Sequence, residues 1–142
     1  MKPSLFVDSW GWIALANPRE TRHIEVRNLY QEETAKGTQI YTTDYVVNEV
    51  ITFLFSRVGA VKAEPYLTAL IQAIRLREIQ MLMITPHHFW KTWQMRCKYR
   101  NRPTISFTDL ASCVMMREQK ITRVVTGDQH FAEVGLGFQL LP

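Results

Sequence analysis

Short apolar runs recur along the chain and alternate with longer segments of mixed polarity. Four runs cover residues 4–7, 39–42, 81–84 and 123–126, and a possible fifth covers residues 138–141. Short runs that are mainly apolar are typical of strands buried on both faces, whereas strands with one face in water alternate between apolar and polar residues. The pattern therefore predicts four to five strands in a mainly parallel sheet.

The segments between these runs predict helices. They cover residues 10–16, 21–36, about 43–58, 61–77, 86–100 and 106–120. Gly37 and Gly59 follow two of these segments, and Thr85-Pro86 is a common pairing at a helix start. Strands alternating with helices favour an α/β fold, here a three-layer α/β/α sandwich around the sheet. No repeat or linker-like tract interrupts the 142 residues, so we expect a single domain.

Composition excludes several classes of protein. Hydrophobic residues make up 46% of the chain and charged residues 21%, which are globular values. No stretch approaches the roughly 20 apolar residues of a membrane span, and the N-terminus lacks a signal-peptide pattern, so we expect a cytosolic protein. Cys97 and Cys113 show no CxxC spacing, which favours reduced thiols over a disulfide framework or a zinc knuckle. The net charge of +4 weakly indicates a polyanionic partner.

Four acids stand out by their positions. Asp8 ends the first predicted strand and Asp128 follows the fourth, so a parallel sheet would bring both to one edge. Glu49 lies in a helix that is apolar nearly all round, where a buried acid would need a positive partner. Asp109 lies in the first turn of its helix. Together they predict an acidic cluster at the carboxyl ends of the strands.

Each of these acids also has a structural explanation. Asp8 and Asp128 fit turns, and Glu49 fits a solvated seam. Asp109 fits the third position of a capping box with Ser106 as N-cap. These explanations are weaker jointly, because all four acids would have to point to one edge by coincidence. The other glutamates are assigned to solvated helix faces: Glu20, Glu25, Glu32, Glu33, Glu64, Glu78, Glu118 and Glu133.

The ordered motifs FVDSW, VVNEV, SFTDLASCVMM and VVTGDQHF resemble the PIN-domain family, and within it the VapC-type ribonucleases of bacterial toxin–antitoxin pairs. The resemblance runs from Leu5 to about Leu140. It implies a homodimer, a cognate antitoxin that binds near the site, and a magnesium or manganese site. The implied metal ligands are Asp8, Glu49, Asp109 and Asp128, with hydroxyl groups nearby at Ser106 and Thr126. Some relatives carry a further acid where Asn48 and Gln129 stand here, so the number of metal ions stays open.

The segment of residues 87–103 concentrates basic and aromatic side chains. Basic groups can follow a phosphate backbone and aromatic rings can stack on unpaired bases. Arg100 and Arg102, just before the Asp109 helix, are the predicted contacts to substrate phosphate. The alternative is an amphipathic helix that buries its aromatic residues, Phe89, Trp90 and Trp93, in the core. Without the four proposed ligands, 17 basic residues face 9 acidic ones, a balance of +8.

These features favour a metal-dependent endoribonuclease, and the resemblance implies the toxin of a type II toxin–antitoxin pair. Carboxylates without a Cys or His cluster suit Mg²⁺ or Mn²⁺, which can activate water and neutralise phosphate. A phosphatase with a nucleophilic Asp8 is disfavoured, because Ser9-Trp10 follows it without the second aspartate of that class. A non-catalytic RNA- or protein-binding module on a PIN scaffold is the other alternative. His130 could reach the site, although a structural role is favoured; the RNA target stays open.

Overall fold

The computed structural model describes residues 2–142, which form five strands and seven helices. The strands are β1 (Ser4–Val7), β2 (Gln39–Thr43), β3 (Ile79–Leu82), β4 (Arg123–Val125) and β5 (Gln139–Leu141). The helices are α1 (Ser9–Ala16), α2 (His23–Ala35), α3 (Asp44–Arg57), α4 (Ala60–Arg75), α5 (Pro86–Lys98), α6 (Phe107–Gln119) and α7 (His130–Glu133). No helix within residues 2–142 has the length and apolar character needed to cross a membrane.

The strands form one sheet in the order β3-β2-β1-β4-β5, and every neighbouring pair is parallel. Its centre is fully buried, because Leu5, Phe6 and Val7 of β1 expose no surface. Helices cover both faces and pack in two groups, α1 to α4 and α5 to α7, with an added contact between α3 and α6. The predicted α/β/α sandwich with a parallel sheet is therefore confirmed.

The strand order places a crevice between the ends of β1 and β4. From β1 the chain runs outward through β2 to β3, and it then returns to the other side of β1 to form β4 and β5. The connections after β1 and β4 therefore lead away from each other, which is the switch point where open α/β sheets bind ligands. Gly11 allows α1 to pack closely there, since a Cβ atom at this position would lie 2.7 Å from Val7 Cγ1.

The third strand lies two residues earlier than the predicted run at 81–84. In β3, Ile79 pairs with Ile40 and is buried, whereas Met83 beyond the strand is exposed. Asp44 accepts a hydrogen bond from the backbone of Ile84 at 3.0 Å, and this contact fixes the chain just after the strand. The ends of β3 are therefore set by its pairing register with β2 and not by the apolar run alone. The four-residue helix α7 was not predicted, because one turn is too short to show a helical period.

Helix α5 turns its large aromatic residues outward, so their predicted burial in the core is wrong. The exposed fractions are 40% for Phe89, 63% for Trp90 and 52% for Trp93. The buried face instead carries His88, Thr92 and Met95. The polar members are satisfied there, because Thr92 Oγ1 donates to the carbonyl of His88 at 2.7 Å and His88 Nε2 lies 3.0 Å from a carboxylate oxygen of Glu118.

Glu33 is buried, so its assignment to a solvated helix face is wrong. Only 4% of it is exposed, and its carboxylate joins α2 to β4 by accepting a bond from Arg123 Nη2 at 2.7 Å. Lys36 Nζ lies 2.9 Å from the second oxygen, and Thr38 Oγ1 donates to the first at 2.8 Å. The hydrogen bond from Arg123 is the main reason that the pKa of Glu33 falls to about 2.

We expect Glu33→Gln to lower the free energy of unfolding at pH 7 by about 2 kcal/mol, because Arg123 loses a buried, charged hydrogen-bond partner. Since the folded-state pKa lies below the ordinary value of 4.5, this stabilisation is present above about pH 4.5 and is lost as the pH falls toward 2. Urea unfolding at pH 7 and pH 3 measures both effects. The exposed neighbour Glu32→Gln is the matched control, and equal behaviour of the two variants would contradict the assignment.

Candidate active site

The carboxyl ends of β1 and β4 open into a cleft of about 720 Å³. Its walls come from the start of α1, the middle of α3, the start of α6 and the segment after β4. The four predicted acids all line it: Asp8, Glu49, Asp109 and Asp128. The predicted acidic cluster is therefore assembled at the predicted edge of the sheet, and the role of each member follows from its surroundings.

Asp8 forms the floor of the cleft and is 3% exposed. Its backbone carbonyl begins α1 by accepting from Trp12, whereas its side chain caps nothing. Carboxylate Oδ2 accepts a hydrogen bond from Thr126 Oγ1 at 3.0 Å. The other oxygen, Oδ1, is buried without a hydrogen-bond partner among the described residues. Asp8, at the start of α1, thus supplies a carboxylate whose oxygen Oδ1 can bind a ligand in the cleft.

Burial is the main reason that the pKa of Asp8 rises from 3.8 to about 7. The nearby charge of Asp109 raises it further, and that of Glu49 adds a smaller effect. The nearby backbone N–H of Ser9 and the hydrogen bond from Thr126 oppose the rise but do not cancel it. A charged Asp8 is therefore unfavourable in this cleft at neutral pH unless a cation compensates it.

Asp109 serves both the helix and the cleft. Its backbone nitrogen donates to Ser106 Oγ at 3.0 Å, so Ser106 is the N-cap that the sequence predicts. Its carboxylate Oδ2 nevertheless lies 3.1 Å from Nδ1 of His130. Burial raises the pKa of Asp109, the bond with His130 opposes that rise, and the charge of Asp128 adds to it. The Ser106 cap is present, whereas the Asp109 carboxylate contacts His130 and does not complete the predicted capping box.

Asp128 is held by the turn that follows β4. Its backbone nitrogen donates to Thr126 Oγ1 at 3.0 Å, and this same hydroxyl donates to Asp8. Gly127 is required between them, because a Cβ atom there would lie 2.5 Å from the ring of Trp10. Carboxylate Oδ1 of Asp128 accepts from the backbone of His130 at 2.9 Å. Thr126 therefore sets the positions of two acids at once.

Glu49 lies on the cleft wall and is exposed, which agrees with the solvated-seam alternative and contradicts burial in a helix that is apolar nearly all round. Helix α3 buries Val46, Val50 and Leu54 on one face. The adjacent face carries Glu49 together with Phe53, which is 37% exposed and also lines the cleft. Glu49 needs no positive partner, because it stays in contact with water.

His130, which the sequence allows to reach the site although it favours a structural role, lies among the acids of the cleft. Its Nδ1 lies 2.9 Å from Asp128 Oδ2 and 3.1 Å from Asp109 Oδ2. Among the described residues, these three offer ligand atoms that all lie within 4.8 Å of one another. Asp8 and Glu49 are outside this group, so the four predicted ligands surround the cleft and do not form one tight cluster. The only signal in the sequence was the position of His130, two residues after Asp128.

The two predicted phosphate contacts, Arg100 and Arg102, are not among the described residues that line the cleft. Arg102 Nη1 lies 3.8 Å from the carboxylate of Glu133 on the cleft rim, and Arg100 Nε donates to the carbonyl of Cys97. The loop that carries them is organised by Arg96, which donates to the carbonyls of Tyr99, Arg102 and Ile105.

The sequence pattern of the PIN domain matches residues 5–136, which is most of the chain. The chain belongs to the PIN domain family. The 23S rRNA-specific endonuclease VapC20 from two strains of Mycobacterium tuberculosis, CDC 1551 / Oshkosh and ATCC 25618 / H37Rv, is 27% identical to this PIN domain over 132 residues. The alignment covers 92% of this chain and 94% of VapC20.

Solved structures agree with this relationship. The crystal structure of M. tuberculosis VapC20, described as a sarcin-ricin loop cleaving toxin, matches with a TM-score of 0.78 and 26% identity, covering 92% of this chain and 95% of that one. VapBC2 from Rickettsia felis, solved with a DNA fragment from its promoter, matches with a TM-score of 0.70 over 96% of each chain. At 14% identity, the second match supports the fold alone. This PIN domain is homologous to the VapC ribonuclease toxins.

The side chains of this PIN domain fit a hard divalent cation. The unpartnered oxygen of Asp8 is buried, and a buried polar atom without a partner is costly. Asp109 adds a second carboxylate, and its negative charge repels that of Asp8. Carboxylate oxygens arranged around an open cleft are the donors that Mg²⁺ and Mn²⁺ accept, while leaving room for water and phosphate oxygens.

Proposed function

We propose that this PIN domain is a metal-dependent endoribonuclease that acts as the toxin of a type II toxin–antitoxin pair. The observation that carries the proposal is the buried carboxylate of Asp8, whose free oxygen shares the cleft at the end of β1 with Asp109 and Asp128. The homology to VapC ribonucleases supports the same activity.

In this proposal Asp8, Glu49, Asp109 and Asp128 hold Mg²⁺ or Mn²⁺. The bound ion would supply a water of lowered pKa and neutralise charge on the phosphate. Thr126 orients Asp8 through a 3.0 Å hydrogen bond, and Ser106 fixes the start of the helix that carries Asp109. Ser106 lines the cleft and is retained as a proposed substrate contact, whereas Thr126, also predicted as one, is 4% exposed and its hydroxyl is engaged by Asp8 and the backbone of Asp128. Glu49, exposed on the wall, is placed to contact water or metal from the open side.

Charge favours RNA as the substrate. From Pro86 to Thr108 the chain contains no Asp or Glu and five basic residues: Lys91, Arg96, Lys98, Arg100 and Arg102. This stretch includes α5 and the loop that leads to Ser106, on the cleft lining. The exposed rings of Trp90 and Trp93 lie on the same helix and could stack on unpaired bases. We propose that RNA approaches the acids across this basic face, with Arg100 and Arg102 on its phosphates.

The partners of the relatives suggest partners for this chain. VapBC2 of R. felis was solved on DNA from its promoter, and VapC20 is named for cleavage of 23S rRNA. We propose that a cognate antitoxin covers the cleft, that the toxin forms a homodimer, and that ribosomal RNA is among the substrates to test first. Because ribosomes work in the cytoplasm, we propose that the enzyme meets its RNA substrate there.

We expect the purified protein to cut total bacterial RNA in Mg²⁺ or Mn²⁺ and to be inactive in EDTA. Asp8→Asn should reduce the initial rate at least about a hundred-fold, since it weakens an interaction worth several kcal/mol in the transition state. Gel analysis of the RNA measures this, with the exposed α2 variant Glu32→Gln as a charge-matched control. Cleavage that survives both chelation and Asp8→Asn would reject the mechanism. Metal-dependent RNA binding without cleavage would instead support a non-catalytic module.

We expect Arg100→Ala combined with Arg102→Ala to weaken RNA binding and to flatten its dependence on salt. Loss of two phosphate contacts should reduce the slope of log affinity against log salt by roughly 1.4 for single-stranded RNA. Filter binding in EDTA across a salt series measures both, without cleavage. Arg27→Ala combined with Arg75→Ala, at exposed positions on α2 and α4, is the control of equal charge. Identical slopes for the two double variants would show that Arg100 and Arg102 do not contact RNA phosphates.

A further inference from the structure

His130 places a ring nitrogen among the acids at the outer side of the cleft. Nδ1 is 2.9 Å from Asp128 Oδ2 and 3.1 Å from Asp109 Oδ2. Two neighbouring ligand atoms on an octahedral ion with bonds of about 2.1 Å are separated by about 3.0 Å. Both distances are hydrogen-bond distances and also match the separation of neighbouring ligands on one ion, and the three residues offer ligand atoms within 4.8 Å of one another.

The position of the His130 ring is fixed by the fold. The backbone nitrogen of His130 donates to Asp128 Oδ1 at 2.9 Å, and the next residue, Phe131, is 1% exposed and anchors α7 in the core. The backbone of Asp128 is in turn bonded to Thr126, which also donates to Asp8. The ring is thus connected to the same network that holds the acids.

Asp109 stands between two different surroundings. On one side, the charge of Asp109 raises the pKa of Asp8, and the atoms there that could bind a metal ion are carboxylate oxygens. On the other side, its Oδ2 shares Nδ1 of His130 with Asp128. The cleft therefore offers an inner group of carboxylates and an outer group that contains a nitrogen.

We propose that His130 is a metal ligand through Nδ1, completing with Asp109 and Asp128 a nitrogen-containing set for a first-row transition ion such as Mn²⁺. This inference rests on the proposed function and extends it from a carboxylate site to a mixed one. Because Nδ1 lies at hydrogen-bond distance from both carboxylates, the metal would replace the proton on Nδ1, which is released to solvent, and the ring would keep its hydrogen on Nε2. Imidazole nitrogen suits transition ions better than it suits Mg²⁺, which demands oxygen. His130 therefore favours Mn²⁺ over Mg²⁺ at this position.

The test is pulsed electron paramagnetic resonance of the full chain loaded with Mn²⁺. A ligating imidazole gives a ¹⁴N coupling to the manganese, which becomes a ¹⁵N coupling when the histidines are labelled with ¹⁵N. We expect that coupling in the wild type and expect His130→Gln to abolish it. His87→Gln, at an exposed position on α5, is the matched control and should keep it. The isotope comparison uses the wild type alone, so it stands even if His130→Gln folds poorly.

Calorimetric titration supplies the second readout. Changing even an outer-shell partner of a metal ligand alters affinity by roughly ten- to a hundred-fold, so losing a direct ligand should weaken Mn²⁺ binding at least about ten-fold. Mg²⁺ binding should change by less than about three-fold. Mn²⁺ bound without nitrogen coupling, or with coupling that survives in His130→Gln, would overturn the role of His130 while leaving the carboxylate site intact. Binding of Mg²⁺ but not Mn²⁺ by the wild type would overturn the role of His130 alone, and binding of neither ion would overturn both claims.

Discussion

The rest of the site depends on one constraint, the burial of the Asp8 carboxylate at the end of the central strand. One of its oxygens is bonded to Thr126, the other has no partner within residues 2–142, and its pKa is raised to about 7 by burial and by the charge of Asp109. A protein that needed only a helix start here could use a neutral residue, because the Asp8 side chain caps nothing. The free-energy cost of burying the Asp8 carboxylate is explained if a bound cation compensates its charge.

The fold supplies what this carboxylate requires. A parallel sheet with its switch point between β1 and β4 brings the turn after each strand to the same crevice. Thr126 connects the two turns by donating to Asp8 and accepting from the backbone of Asp128. The N-cap Ser106 directs α6 so that Asp109 enters from a third side. The contacts that shape the site are therefore those that begin helices and close turns.

Features set by local pattern could be predicted, and those set by distant partners could not. The apolar runs place Asp8 and Asp128 at strand ends, and a parallel sheet then brings them together whatever the detail of packing. Glu33 looked like a surface residue because its partner Arg123 lies 90 residues away in the sequence. His130 lies in a single helical turn with no period to detect. The exposed aromatic residues of α5 were misplaced because its buried face is occupied by Thr92 and by His88, whose partner Glu118 lies 30 residues away.

The most direct test of the central claim is the thermal stability of the wild type and Asp8→Asn at pH 7.5, in EDTA and in Mg²⁺ or Mn²⁺. If the buried charge of Asp8 is held for a cation, metal should raise the melting temperature of the wild type by at least about 3 °C. Asp8→Asn should be the more stable protein in EDTA, because it removes an unfavourable buried charge, and it should respond little to metal. A wild type whose melting temperature does not change with either ion would contradict the account.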